Sequence, residues 1–186
     1  MSPSEDPLEH KLKTISLSGI AEAMSKAQLY RNLNEPEEAE SICHDVLVPD
    51  PENQLALRQL GLAITDQFNG TASDRYSEVE AIFQRLTDRY ERQYYLGLAL
   101  ERQAKAKMRA GIPAVAWIGL LNEAMRFFGE AEKIRPVGND DAILRWNRCA
   151  RILNSLPQAV SEQPHRPIDA DADTPPVQPQ RSRAHK

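Results

Sequence analysis

A short pattern of apolar and small residues occurs three times along this chain and dictates its architecture. Ala39, Cys43 and Val46 recur as Val79, Phe83 and Leu86, and again as Ala124, Phe128 and Ala131. Steps of four and three residues place each trio on one face of a helix. A companion pattern precedes each trio: Ala23, Lys26, Ala27 and Tyr30, then Leu57, Leu60, Gly61 and Ile64, then Gln93, Leu96, Gly97 and Leu100. Its spacing is helical too. Lys26 and Gln93 depart from the apolar preference, so weaker contacts are expected there. Paired helices returning at roughly 34 residues describe a helix-turn-helix module that buries its faces by stacking on its neighbours.

Local signals divide the chain accordingly. Leu33-Asn34-Glu35-Pro36 breaks the first helix: Asn34 suits a left-handed closing residue and Pro36 the first turn of the next helix. Glu35, Glu37 and Glu38 then sit at that helix's positive end, where carboxylates are stabilised by about 0.3–1 kcal/mol each. Between Ile64 and Val79 the chain is longer than the module requires. It carries the turn signal Asn69-Gly70, with Ser73 or Asp74 able to cap the following helix. The third unit is longer again. Leu100, Ala104 and Met108 prolong one stripe, Gly111 ends it, and Pro113 opens a segment in which Ala114, Ile118, Leu121, Met125 and Phe128 form the opposing stripe. This hairpin is expected to protrude. A last helix, about 140–154, has Ile143, Trp146, Ala150 and Leu153 as its apolar face and Arg145, Arg148 and Arg151 on a more polar flank.

These features imply units over about 20–53, 54–89 and 90–138 and a capping helix, within a helical domain spanning 14–156. A flexible segment over 1–13 precedes it. From Pro157 to Lys186 six prolines alternate with charged and small residues, so a disordered tail is expected there.

The recurring small and aromatic positions resemble those of the tetratricopeptide repeat family. The resemblance implies an all-α, right-handed solenoid whose concave face is lined by the first helix of each repeat and binds peptides or other proteins. Carried onto this chain residue by residue, the groove positions are Ala21, Met24, Ser25 and Gln28 in the first unit. The second unit supplies Leu55, Arg58, Gln59 and Leu62, and the third Glu91, Tyr94, Tyr95, Leu98 and Arg102. Leu and Tyr offer apolar contact, while Arg58, Gln59 and Arg102 can bond a peptide backbone or carboxylate. Tyr and Arg are also enriched at binding hot spots. Some family members grip the carboxylate of a chaperone tail with a lysine-asparagine pair. Met24 and Gln28 occupy the corresponding positions, which disfavours that ligand. The lengthened hairpin supplies a second candidate surface. Trp117, Ile118 and Leu121 either pack on Ala104 and Met108 or form an apolar patch for self-association. Arg102, Lys105, Lys107 and Arg109 either make a solvated helix face or meet phosphate or an acidic partner.

Composition narrows the function classes. With 23 Lys and Arg against 27 Asp and Glu the net charge is −4, so no global basic excess attracts nucleic acid. Cys43 and Cys149 lie far apart and read as small core residues, and the four histidines gather no metal-ligand set. The most apolar run, Ala114 to Leu121, is far shorter than the roughly 20 residues of a membrane-spanning helix. A cytoplasmic location is the default. There is no phosphate-binding glycine loop and no recognisable nucleophile with its base. Cys43 and His44 are neighbours, but successive helical residues point about 100° apart. The expected function is a non-catalytic protein-interaction module, adaptor or assembly factor, with no cofactor and no metal. A small secretion-type chaperone holding a client segment is one alternative. A helical repeat binding nucleic acid through the basic patches of the third hairpin and capping helix is another.

Overall fold

The computed structural model describes residues 10–71 and 74–157, and every regular element among them is helical. The expected Pro-rich tail from residue 158, most of the N-terminal segment and Ser73 lie outside the described residues. Seven α-helices run in order: α1 Ile20–Asn32, α2 Pro36–Leu47, α3 Gln54–Asp66, α4 Tyr76–Gln84, α5 Arg89–Arg109, α6 Ile118–Lys133 and α7 Asp141–Asn154. None of the described helices is long and apolar enough to cross a membrane.

Each boundary has a local cause. Ser16 Oγ accepts from the Gly19 amide at 3.2 Å, closing the 3-10 turn Leu17–Gly19 that leads into α1. Asn34, at φ 62°, turns the chain away after α1, and Pro36 occupies the first turn of α2. Asn53 caps α3 by accepting from the Ala56 amide at 2.9 Å, and Asp88 caps α5 by accepting from the Glu91 amide at 2.8 Å. Each such cap is worth about 1 kcal/mol. Asp74 does something other than cap α4. Its carboxylate accepts from the amides of Asn69 and Gly70 at 2.9 and 3.0 Å and so closes the turn before that helix.

The helices pack as α1 with α2, α3 with α4 and α5 with α6. Each second helix also packs on the next first helix, and α1, α3, α5 and α7 touch in succession. All nine residues of the recurring trios are buried in the core. Lys26, by contrast, lies in solvent, paired with Glu22 at 3.2 Å. Where first and second helices cross, glycine lets the backbones close: Gly61 meets the ring of Phe83, and Gly97 that of Phe128.

Two parts of the structure depart from the sequence reading. The third hairpin is longer, with 21 residues in α5 against 13 in α1 and α3. Its α5 extension is nevertheless covered rather than projecting freely. Gly70, at φ 87°, lies so close to α5 that a β-carbon on it would be 2.6 Å from the Ala106 carbonyl oxygen, and Ala106 is fully buried. Only glycine satisfies both the left-handed conformation and that approach. The second departure is in α7. Ile143, Trp146, Ala150 and Leu153 are not its deeply buried face, and Trp146 keeps 40% of its surface exposed. Ala142, Cys149 and Ile152 are buried instead. The cause lies on α5. Glu101 is fully buried there, Lys105 donates to its Oε1, and Arg145 Nη1 stands 3.5 Å from its Oε2. A buried carboxylate demands cations, and turning Arg145 inward brings Ala142, Cys149 and Ile152 with it.

Candidate functional site

The first helices α1 and α3 enclose a cleft of about 850 Å³. Leu17, Ile20, Ala21, Met24 and Leu55 supply its apolar surface, and Ser25, Gln28, Asp50, Asn53 and Gln59 its polar groups. Local structure positions each side. The 3-10 turn ahead of α1 presents Leu17, 68% exposed, and the Asn53 cap fixes the start of α3. Asn53 also donates to Asp50 Oδ2 at 2.9 Å, orienting that carboxylate at the cleft wall. Asp50 is the one ionisable residue among the lining side chains. The arrangement is of the type that binds small or extended ligands: a concave apolar surface with a few placed polar groups.

From this cleft a row of side-chain hydrogen bonds runs across the first helices. Gln59 donates to Gln28 Oε1 at 2.6 Å, and Arg31 donates to Gln59 Oε1 at 2.8 Å. Arg31 Nε also bonds Asp66 Oδ2 at 2.8 Å. Arg102 Nη1 donates to the other oxygen of Asp66, to Thr65 Oγ1 at 2.6 Å and to the Leu62 carbonyl at 3.2 Å. The row thus links α1, α3 and α5. Beyond it a smaller cavity of about 220 Å³ lies between Thr65, Asp66, Arg102, Lys105 and Arg109.

The structure brings some of the sequence-derived candidates together and separates others. Met24, Gln28 and Gln59, with Ala21, Ser25 and Leu55, all line the larger cleft. Arg58 stands apart, bonded to Glu91 Oε1 at 2.5 Å, so its charge is matched within the chain. Leu62 and Leu98 are buried in the core. Tyr95 packs on Phe83 with ring centroids 5.4 Å apart, and Tyr94 lies 5.9 Å from Phe128. Both tyrosines, carried onto the groove by repeat position, are half-buried and packed on core aromatics. Trp117 is 5% exposed and donates to the Ile112 carbonyl at 3.1 Å, and Ile118 is half-buried beside it. This pair therefore forms no exposed apolar patch. Arg102 and Lys105 belong to the smaller cavity together with Arg109.

Leu17, Asp50 and Asn53 were missed as cleft residues because they precede the helices whose repeating positions marked the groove, and Ile20 because it is the first residue of α1, ahead of those positions. The Asn53 cap was the signal that could have found that end of α3. Among the described residues no three of His, Cys, Asp and Glu converge in a way that holds a metal ion. No protein-family model and no curated protein matches the chain at a significant level.

Proposed function

We propose that the chain is a non-catalytic protein-interaction module, a short solenoid of three tetratricopeptide-like hairpins closed by α7, acting as an adaptor or assembly factor. The succession of contacts among α1, α3, α5 and α7 supports the solenoid reading. The observation that carries the function is the cleft between α1 and α3, where exposed Leu17, Ala21 and Leu55 and buried Met24 stand beside a polar edge of Ser25 and Gln28, with Gln59 buried among them. An extended peptide segment fits it: an apolar side chain on Met24 and Leu55, and backbone groups on the amides of the polar edge. A secretion-type chaperone would use the same cleft and differs in making client solubility depend on the chain. A cytoplasmic setting is part of the proposal.

Selection of linear peptides from a display library on the full chain tests the reading. Peptides enriched on the native chain are expected to lose binding to Ala21→Trp, an exposed position where the indole fills the cleft, while the helical circular dichroism is retained. Equal binding to the filled variant would count against the cleft as the site.

A further inference from the structure

We infer that the smaller cavity between α3 and α5 is a binding site for a phosphoryl group. Its walls are Arg102, Lys105 and Arg109 from α5 and Thr65 and Asp66 from α3. Three cations therefore face one carboxylate. Arg31 and Arg145 stand near enough to act electrostatically on Arg102. Across this neighbourhood five cations share two carboxylates among the described residues: Arg31 and Arg102 use Asp66, Lys105 and Arg145 use Glu101, and Arg109 has no ion pair. The sequence offers no further relief, since no acidic residue occurs between Arg102 and Asn122.

A helix dipole does not account for the excess. Cations in a last helical turn are stabilised by the negative C-terminal end, an effect that fades within that turn. This covers Arg109, but Arg102 and Lys105 lie further in. Arg102 is held largely out of solvent, and that desolvation pulls its pKa below the usual arginine range despite the Asp66 partner. The cavity thus holds concentrated positive charge that its own carboxylates leave unmatched.

The unmatched groups fit a phosphoryl dianion. At neutral pH a phosphoryl monoester carries about −1.5 to −2 charges and three strong acceptor oxygens. Lys105 uses its ammonium on Glu101 Oε1 and keeps further N–H donors, and the guanidinium of Arg109 is free of ion pairs among the described residues. Arg supplies a planar fork and Lys a point charge, the two donor types that phosphate sites combine. At about 220 Å³ the space is below the roughly 300–1,000 Å³ of clefts for drug-sized ligands, which suits a phosphoryl group better than a whole nucleotide. Free phosphate and a phosphorylated side chain present the same chemistry. The second has a ready geometry. Gln59 lines the larger cleft and Asp66 this cavity, a separation of roughly 10 Å along α3 at 1.5 Å per residue.

Titration of the full chain with inorganic phosphate, followed through arginine side-chain NMR signals and calorimetry, tests the site against sodium chloride at matched ionic strength. Saturable binding is expected, weakened about tenfold in Lys105→Gln and in Arg109→Gln and unchanged in Lys133→Gln, an exposed lysine at the end of α6. Arg109→Gln, at an exposed position, decides the matter if Lys105→Gln unsettles Glu101 and the fold. A phosphoserine peptide binding more tightly than both phosphate and its unphosphorylated form would identify a modified partner, and phosphate binding as tightly as the phosphopeptide would identify the free ion. Shifts that merely follow ionic strength, full affinity in Arg109→Gln, or response to nucleic acid without response to phosphate would each overturn the proposal. The inorganic-phosphate titration contains no peptide, so its outcome is independent of whether peptides use the larger cleft.

Discussion

Gly61 lies against the ring of Phe83 with no space for one further carbon: a β-carbon at Gly61 would stand 2.3 Å from Cε1 and 2.5 Å from Cζ. The ring is fully buried and has no solvent to swing into. In an open helix, replacing glycine by alanine is favourable by roughly 0.5–1 kcal/mol. Here overpacking opposes it, at about 1–3 kcal/mol. Gly61→Ala is therefore expected to lower the unfolding free energy. Gly129→Ala, with nothing within 4 Å of its new methyl group, is expected to raise it. Chemical denaturation of the two variants gives both signs, and equal effects would refute the close-packing account.

α7 provides a second contrast. Trp146 is half in solvent, whereas Ile152 is 6% exposed. Surface substitutions usually stay within about 0.5 kcal/mol, while burying a cavity by Ile→Ala costs about 2–5 kcal/mol. Ile152→Ala should thus lower the midpoint of denaturation far more than Trp146→Ala, although tryptophan is the larger side chain. The reverse order would mean that Trp146 is covered in solution.

Stability should also depend on acid through Glu40. Hydrogen bonds from Arg75 at 2.6 and 2.7 Å, aided by Gln67 and set against partial burial, hold its pKa at about 2 rather than the ordinary 4.5. A carboxyl whose folded pKa is depressed stabilises the fold above its unfolded pKa and loses that contribution as pH falls through the folded value. The loss here spans pH 4.5 down to about 2. Glu40→Gln should be less stable than the parent at pH 7 and show a shallower decline across that window. Parallel curves of melting temperature against pH would exclude Glu40 as the cause.

Both thiols should be inert in the folded state. Cys43 and Cys149 are fully buried and unpaired, and burial pushes each pKa up to about 12. Thiolate is the reactive form. A thiol reagent at pH 8 is expected to modify both only at the rate of unfolding, and rapid modification of either would show an opening of α2 or α7.

What the sequence disclosed depended on how local the cause was. The trios ending in Val46, Leu86 and Ala131 could be placed because their spacing alone puts them on one helix face. The turn at Asn34 and Pro36 was equally local. The buried face of α7 was not, because its two neighbouring stripes are both partly apolar, and a carboxylate on α5 selects between them through Arg145. The groove was legible in part for the same reason. Met24, Gln28 and Gln59 follow from repeat position, but Arg58 and Arg102 find their partners Glu91 and Asp66 some 33 and 36 residues away. Nothing near either arginine announces that its charge is already engaged.

The hydrogen-bonded row from Gln28 through Gln59, Arg31 and Asp66 to Arg102 has a mechanical consequence. It fastens three successive helices, α1, α3 and α5, through side-chain bonds as well as through packing. Gln28, Gln59 and Arg31 are thereby held in fixed rotamers, and a ligand meeting them would leave little ordering entropy to lose.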